Sequence, residues 1–331
     1  MTDHQESRTE EVFRPLERSG LPRIEFRRSQ RRDAVFYLAA FSAAILSWVV
    51  RFIPSGFVSF VARRIGDLSY LVSKQWRANV SSNISHVLDE PEDSARVQRT
   101  VRSIFQTNAL NLVSLLRTPH QSLDELYEQT RLVHGDWGIL DDAVAEGNGV
   151  VLLTAHLGPF DTMGITISAH GDRFVALTAK TTNRFVFEFM SFLRKAHRLE
   201  LIEASSSGVR EAIQVLRGGY VLCLLSDRDF FLNGRQVSFF GEETTLPIGA
   251  ARLSRETGAA IVPMFTVRAG DTNLLMIEDA FHVERTSDRN ADIAAGMVRV
   301  VDAIETAISI APDQWVMFQR VWPEEAEIPT R

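Results

Sequence analysis

Cysteine is nearly absent from this chain, with Cys223 the single one among 331 residues. One cysteine excludes a disulfide within the chain and a metal site built from several cysteines. Cys223 lies inside the apolar run Tyr-Val-Leu-Cys-Leu-Leu at 220–225, which predicts a residue of the hydrophobic core. A reducing cytosolic environment is compatible with this composition.

An excess of positive charge, an internal repeat and a low-complexity tract are also missing. The formal net charge of −6 argues against a general nucleic-acid-binding protein. No Gly-x-Ser-x-Gly sequence is present, so the nucleophile elbow of α/β-hydrolases is not expected. A hydrophobic content of 45% and a charged content of 24% predict one large globular domain with an appended segment.

Positive charge is concentrated near the N-terminus. Residues 1–30 are polar with little apolar periodicity, which predicts a flexible or loosely docked tail. The basic positions near its end are Arg23, Arg27, Arg28, Arg31 and Arg32. A basic flank of this kind is suited to an anionic lipid surface on the cytoplasmic side of a membrane.

The stretch that follows, 34–50, carries no charge. It is shorter than the roughly 20 apolar residues of a full membrane span, so interfacial insertion is favoured at least as much as a crossing. A buried helix of the catalytic body is the alternative. Because about thirty polar residues precede this stretch, a cleaved signal peptide is not expected.

Apolar periodicity predicts helices through the whole of 31–122. One helical pattern covers 34–72 and is broken at Pro54, and another covers 76–117 with a break at Pro91. The second half of the first pattern is amphipathic, with Arg63 and Arg64 among apolar residues. Such a helix either extends a membrane-facing surface or packs on the core with its arginines in water. We therefore predict that 31–122 is a helical, membrane-associated segment.

Residues 123–331 show alternating strand and helix patterns. The predicted strands are 149–155, 173–178, 199–203, 220–226, 260–267 and 274–278, and the predicted helices are 137–146, 160–170, 183–196, 207–217, 247–257 and about 290–310. This alternation predicts an α/β catalytic region with a central, mostly parallel sheet flanked by helices, in which ligands bind at the carboxyl ends of the strands.

The most informative block is 149–161, a buried-strand pattern that ends in His156 with Asp161 five positions on. On a regular helix these two residues would be about 140° apart, whereas Gly158 and Pro159 predict a turn. We therefore expect His156 on the strand-to-helix turn, as a general base. Asp161, just inside the helix, could orient the imidazole or hold the helix start. A solvated or capped histidine in a loop is the alternative.

A second block, Ser226-Asp227-Arg228-Asp229, follows the apolar run 220–225. Two acids flanking an arginine at a strand end can pair with a histidine, bind a metal, or form a local ion network. Asp227 is the first acid beyond the sheet, so we expect it to meet His156 across neighbouring strands. Arg228 and Asp229 are either functional or purely structural.

A third block covers 237–252. Thr244 and Thr245 before Leu-Pro-Ile-Gly predict a loop that runs into a helix at Pro247. Gly249 and the two alanines after it have side chains small enough for a ligand to approach the backbone of the first turn closely. A phosphate or an oxyanion could sit at this helix start, and simple packing by small residues is the alternative.

These blocks, in this order, resemble the bacterial lipid A biosynthesis acyltransferase family (the lauroyl and myristoyl acyltransferases), especially the phosphatidylinositol mannoside acyltransferases of actinobacteria. The matching stretches are His156-Leu-Gly-Pro-Phe-Asp161, Asp227-Arg228-Asp229, Phe239-Phe240-Gly241-Glu242 with Leu246-Pro247-x-Gly249-x-Ala251, and Ala311-Pro312-Asp-Gln-Trp315 through Gln319 and Trp322. The likeness covers roughly 34–323, and the combination of blocks carries it.

The resemblance implies acyl transfer from a thioester, acyl-CoA or acyl carrier protein, to a hydroxyl of a membrane glycolipid. His156 would take the proton of the acceptor hydroxyl, Asp227 would orient the imidazole and stabilise its charged form, and Asp161 would hold the turn. The implied substrate-binding residues are Arg194, Arg228, Asp229, Glu242 and Gly249. No cofactor, metal or covalent enzyme intermediate is expected, and no nucleic acid. The expected location is the cytoplasmic face of the inner membrane, peripheral or singly anchored.

Two departures from the family pattern concern acceptor choice more than catalysis. Many relatives carry asparagine where this chain has Pro159, and many of the mannoside branch carry glutamate where Ala179 aligns. Phenylalanines on the predicted helix 183–196 would line a groove for the donor chain or belong to the core.

Three rival functions remain open from the sequence. A thioesterase or esterase would use the same base on water. A glycosyltransferase would hold a divalent metal with Asp227 and Asp229. A lipid-binding protein without activity would need neither a base nor a metal, although the histidine and both acids are present.

Overall fold

The computed structural model describes residues 33–171, 173–178, 183–194, 199–203, 206–229 and 234–322. The predicted tail at 1–30, the basic flank at 23–32 and the aligned Ala179 lie outside the described residues. The helices are α1 (Ala34–Arg51), α2 (Ser55–Val72), α3 (Lys74–Leu88), α4 (Ala95–Arg117), α5 (Leu123–Glu128), α6 (Trp137–Ala145), α7 (Phe160–His170), α8 (Arg184–Arg194), α9 (Ser206–Arg217), α10 (Gly249–Thr257) and α11 (Arg289–Ile310). The strands are β1 (Thr130–His134), β2 (Val150–Thr154), β3 (Phe174–Thr178), β4 (Glu200–Glu203), β5 (Val221–Leu225), β6 (Arg235–Phe239), β7 (Glu242–Leu246), β8 (Ala260–Ala269) and β9 (Thr272–Ile277).

Within the described residues, seven strands form the central sheet in the order β1-β9-β8-β2-β5-β3-β4. All neighbouring pairs are parallel except β8 with β9. The predicted fold class, a mostly parallel sheet flanked by helices, is therefore confirmed. Strands β2 and β5 are direct neighbours in the register Thr154↔Leu225, so the segments that follow them leave the sheet side by side.

Helices cover both faces of this sheet, which is why the central strand β2 is buried along its whole length. Val151 and Leu153 belong to a core that includes residues of α4, α9, α10 and α11. Val150 and Leu152 belong to a core on the other face with residues of α6 and α7. This alternation follows from the period of two in strand side chains.

The N-terminal helices follow the predicted breaks. Pro54 precedes α2 directly, and Pro91 lies in the connection between α3 and α4. Within the described part of the chain, α1 is the one helix long and apolar enough, by length and composition, to cross a membrane. One such helix is weak evidence for a crossing.

One face of α1 packs on the protein. Its buried positions Ala39, Ala43, Ser47 and Val50 recur at helical spacing, and the helix contacts α4 and α8. The Ser47 hydroxyl donates a hydrogen bond of 2.6 Å to the carbonyl of Leu116. At its start, Asp33 caps the helix and forms an ion pair with Arg184 of α8.

Several local elements differ from the sequence prediction, and the short helix α5 was not predicted. Strand β1 was not predicted, because this edge strand has mostly exposed, polar-rich positions and lacks an apolar run. The predicted loop before Pro247 is an antiparallel hairpin of β6 and β7, whose two turn residues Phe240 and Gly241 have φ of 51° and 79°. Positive φ at both positions is the geometry of a tight hairpin turn, usually signalled by Asn-Gly rather than Phe-Gly. The helix predicted from Pro247 begins at Gly249.

Candidate active site

His156 and Asp227 meet just beyond the ends of β2 and β5. The Nδ1 atom of His156 lies 2.8 Å from Oδ1 of Asp227, and the backbone N–H of His156 donates a 2.8 Å hydrogen bond to Oδ2. One carboxylate therefore holds both the ring and the main chain of the histidine. The contact follows from the register of two neighbouring strands, as the position of the two residues in the sequence predicted.

The carboxylate of Asp227 is completely buried and fully engaged. Trp315 donates a third hydrogen bond, from Nε1 to Oδ2 at 2.9 Å, and Asp227 has no exposed surface. Burial opposes ionisation, but the charge of His156 and the hydrogen bonds from His156 and Trp315 outweigh it and hold the pKa of Asp227 below its ordinary value. Asp227 is therefore an anion at neutral pH.

The ion pair also determines which nitrogen of His156 can act. A carboxylate only accepts hydrogen bonds, so in the neutral imidazole Nδ1 carries the hydrogen and Nε2 has the lone pair. The side chain is 28% exposed and lines a cavity, and the ring of Phe160 meets it edge-on with 5.2 Å between centroids. Nε2 is thus the ring nitrogen that could act as a base.

Backbone contacts lock the turn after His156. Gly158 has φ of +53°, and a Cβ added there would lie 2.2 Å from the carbonyl oxygen of Thr266, so both conformation and space require glycine. Asn111 of α4 donates to the Gly158 carbonyl at 2.7 Å, and the Gly158 N–H donates to the carbonyl of Gln314 at 3.0 Å. The N–H of Val316 donates to the carbonyl of His156 at 2.7 Å.

Asp161 and Arg194 form a second ion pair beside the histidine. Nε of Arg194 lies 2.7 Å from Oδ1 of Asp161, which joins the first turn of α7 to the last residue of α8. Asp227, and not Asp161, is the acid that contacts the imidazole. Asp161 was expected either to orient the imidazole or to hold the helix start. Its ion pair with Arg194 fits the second of these two uses. Pro159 occupies the N-cap of α7 without a side-chain hydrogen bond.

A cavity of about 460 Å³ opens next to His156, within the size range of small-molecule sites. Its lining is mostly apolar and includes Gly164, Phe174, Leu199 and Cys223, together with Arg228, Gly249 and Arg252. Burial raises the pKa of the Cys223 thiol to about 12, so this side chain is a neutral, apolar part of the wall.

A second cavity of about 370 Å³ is also lined by the Asp161–Arg194 pair. Its lining combines polar groups and rings: Asn108, Asn111, Phe160, Asp161, Thr178, Phe187 and Arg194, with three aliphatic residues. Of the phenylalanines on α8, Phe187 lines this second cavity, whereas Phe189 packs in a core with α1 and α4.

The structure brings some of the predicted substrate-binding residues to the cavities and leaves others outside. Arg194, Arg228 and Gly249 line the larger cavity. Within the described residues, Asp229 and Glu242 lie outside the lining of both cavities. Asp229 accepts a hydrogen bond from the N–H of Gly234 at 2.8 Å, and Glu242 pairs with His86 at 3.0 Å.

Sequence reasoning assigned no role to Asn111, Gln314 and Trp315, which contact Asp227 and the turn after His156. Trp315 lies 88 residues from Asp227, and Asn111 is an interior position of a long helix. The match of the stretch around Trp315 to the family pattern was the available signal. It did not indicate which side chain the indole contacts.

A histidine–aspartate pair at the carboxyl edge of a mostly parallel sheet, beside a mostly apolar cavity, is an arrangement that can supply a general base in an α/β protein. The chain belongs to the bacterial lipid A biosynthesis acyltransferase family, whose model matches residues 25–324. This confirms the resemblance on which the sequence interpretation rests.

Similar curated proteins include two phosphatidylinositol mannoside acyltransferases and a lipid A biosynthesis acyltransferase. The protein of Mycobacterium tuberculosis (strain CDC 1551 / Oshkosh) is 30% identical over 212 residues, which cover 63% of this chain and 65% of that protein. The protein of Mycolicibacterium smegmatis is 26% identical over 238 residues (71% and 74%). The lipid A biosynthesis acyltransferase of Haemophilus influenzae is 21% identical over 246 residues (74% and 74%). The chain thus matches just under two thirds of the length of the M. tuberculosis protein.

Among solved structures, the 1-acyl-sn-glycerophosphate (LPA) acyltransferase PlsC from Thermotoga maritima is similar at a TM-score of 0.31 and 11% identity. The alignment covers 80% of this chain and 97% of that one. Similarity at this level carries no argument about the site.

Proposed function

We propose that this protein transfers a fatty acyl group from an acyl thioester to a hydroxyl of a glycolipid at a membrane surface. The observation that carries the proposal is the contact between His156 and Asp227 beside a mostly apolar cavity. The pair supplies a base, and the cavity supplies room for an acyl chain beside it.

In the proposed reaction, Nε2 of His156 takes the proton of the acceptor hydroxyl while its oxygen attacks the thioester carbonyl carbon. The buried carboxylate of Asp227 stabilises the imidazolium that forms. The tetrahedral intermediate then collapses, the carbon–sulfur bond breaks, and the imidazolium returns the proton to the thiolate. The products are an ester and a free thiol.

The larger cavity suits the acyl donor. Its apolar lining would bury the chain, which is favourable by about 0.8 kcal/mol for each methylene removed from water. Arg228 and Arg252 and the first turn of α10 also line this cavity, and positive charge there would attract the phosphates of acyl-CoA or of an acyl carrier protein.

The second cavity suits the acceptor headgroup. Its asparagines and the Asp161–Arg194 pair offer hydrogen bonds to hydroxyl groups, and Phe160 and Phe187 offer flat apolar surfaces. It shares Phe160, Asp161, Thr178 and Arg194 with the donor cavity, so an acceptor there would lie next to the cavity that His156 lines. The names of the mycobacterial relatives favour a phosphatidylinositol mannoside as this acceptor.

Membrane association would be interfacial. An α1 of 18 residues is about 27 Å long, short of the roughly 30 Å hydrocarbon core, and its buried face is occupied by α4 and α8. The opposite face exposes large apolar side chains, as does α2, and exposed patches of this kind mark membrane contact sites. We place the protein on the cytoplasmic face, where acyl thioesters are made available.

The two enzyme alternatives differ in what they require of these residues. A metal-dependent glycosyltransferase needs free oxygens on Asp227, but both are already engaged by His156 and Trp315. A thioesterase would use the same base with water in place of the acceptor hydroxyl. The product separates the two.

The direct test is to incubate the purified protein with radiolabelled acyl-CoA or acyl carrier protein and a total lipid extract, with and without a chelator. We expect label in a glycolipid, identified by mass spectrometry, and no effect of the chelator. Release of free fatty acid alone would establish a hydrolase, and loss of activity with the chelator would support the metal-dependent rival.

Substitutions of exposed apolar residues on α1 and α2 test whether this surface binds membranes. Phe41 and Phe57 are 65% and 60% exposed, and we expect the double variant Phe41→Ser/Phe57→Ser to bind vesicles at least about tenfold more weakly, since burying such a side chain contributes about 1.5–3 kcal/mol. The matched control is Val298→Ser/Ile310→Ser on α11, at positions 70% and 57% exposed. Equal sedimentation of both variants with anionic vesicles would contradict the assignment. Deleting residues 1–53 is a cruder test, since it also uncovers the core beneath α1.

A substitution at Trp315 tests whether its hydrogen bond to Asp227 contributes to the reaction. Trp315→Phe keeps a ring but removes the donor to Oδ2, and we expect kcat to fall about tenfold or more, because a hydrogen bond to a charged group contributes about 1.5–3 kcal/mol. The KM of the donor should stay unchanged, since the indole does not line the cavity. The control is Trp322→Phe, because the indole N–H of Trp322 has no hydrogen-bond partner within the described residues. A kcat at the wild-type level for Trp315→Phe would refute this role.

A further inference from the structure

The larger cavity extends from the base toward the opposite end of the strands. Its lining includes Phe174, the first residue of β3, and Leu199, directly before β4, and these two residues lie at the same level of the sheet. Phe174 is paired with Val221, whereas Asp227 follows Val221 by six residues. The lining therefore runs along the strands from the level of the base toward their starts, a direction suited to an extended chain.

The strands leave room for this cavity because β3 and β5 separate. They pair only as far as Ala176 and Cys223, and beyond this point their residues line the cavity. Helix α7 covers the same region and turns Asp161 and Gly164, three positions apart, toward the cavity. This part of the cavity is thus enclosed by β3, β5 and α7.

Phe174 lies in the part of the lining that is far along the strands from the base, and its ring rests on Gly164. A Cβ added at Gly164 would lie 2.7 Å from Cε1 and 2.8 Å from Cζ of the phenylalanine ring. Contacts this short show that the ring lies directly against the helix backbone. Phe174 is itself buried, so its ring occupies the volume that a longer chain would need.

We propose that Phe174, seated on Gly164, sets the longest acyl chain that the donor cavity accepts. This inference rests on the proposed acyl-transfer function and adds its specificity-determining residue. A chain that ends before the ring is buried completely, whereas a longer chain must displace the ring or leave methylenes in water. Selection by a closed apolar pocket amounts to about 10–200-fold per methylene.

The test measures kcat/KM for a homologous series of saturated acyl donors. Phe174→Leu and Phe174→Met shorten or loosen the side chain. With either variant we expect kcat/KM for donors just beyond the wild-type limit, relative to kcat/KM for donors within it, to rise at least about tenfold. With Gly164→Ala, which pushes the ring into the cavity, the limit should move to shorter chains. Phe281→Leu is the matched control, because Phe281 is also buried but does not line the cavity. An unchanged chain-length profile in the folded Phe174 variants would overturn the inference.

A binding measurement separates this inference from the proposed function. Displacement of a fluorescent fatty acid by acyl-CoA of increasing length needs no turnover. A length limit that moves with Phe174 in this assay, in a protein that transfers no acyl group, would support the inference and refute the function. Transfer activity with a limit that ignores Phe174 would refute the inference and leave the function in place.

Discussion

Replacement of His156 by glutamine is expected to lower the transfer rate by about 10²–10⁴-fold, the usual contribution of a general base. Glutamine can still donate to Asp227 through its amide, so the buried carboxylate is not left without a partner. It has no basic nitrogen where Nε2 stands, so the acceptor hydroxyl keeps its proton during attack. The measurement is kcat under saturating donor and acceptor, with folding checked by circular dichroism.

His170→Gln is the matched control for this substitution. His170 also pairs with an aspartate, Asp141, at 3.1 Å, but it lies at the far end of α7 and does not line either cavity. We expect its kcat to equal that of the wild type. A His156→Gln variant with near-normal turnover would show that the base lies elsewhere.

Asp227→Asn is expected to be nearly as damaging, by about 10³–10⁴-fold, because it reverses the tautomer of His156. Oδ2 of Asp227 receives two donors, the N–H of His156 and Nε1 of Trp315. The amide oxygen of asparagine must take that place, so its NH₂ group faces Nδ1 of the imidazole. Nδ1 then accepts, Nε2 carries the hydrogen, and the base is lost although the shape of the site is kept. Single-turnover rates with bound donor measure this directly.

Asp292→Asn is the control for loss of a well-bonded, ion-paired aspartate, since Asp292 pairs with Arg255 at 2.7 Å on α11. It should leave the transfer rate unchanged. If Asp161→Asn is far more damaging than Asp227→Asn, the partner of the base has been misassigned.

Asp227 also links stability to pH. Its folded-state pKa is lowered, so its carboxylate stabilises the fold above the unfolded pKa of about 4, and this contribution is lost as the pH falls through the folded value.

Much of the catalytic half was predictable because its signals are local. An apolar run such as 149–155 predicts a strand buried on both faces, and a histidine or an acid directly after it must emerge at the carboxyl edge. The pairing of His156 with Asp227 needed one further assumption, that β2 and β5 are neighbours, and the structure has this order. Strand β1 and the β6–β7 hairpin were missed because neither carries the usual composition of its element.

The sequence by itself determined the residue types and their order: a histidine and an acid at two strand ends, glycine at 158, and an apolar N-terminal stretch. These follow from backbone geometry and hydrophobic periodicity, which act over a few residues. Only the tertiary structure decided that Asp161 pairs with Arg194, that Trp315 supports Asp227, and that Phe174 lies on Gly164. Such contacts join segments far apart in the chain, and their geometry depends on how whole helices pack on the sheet, which no local pattern specifies.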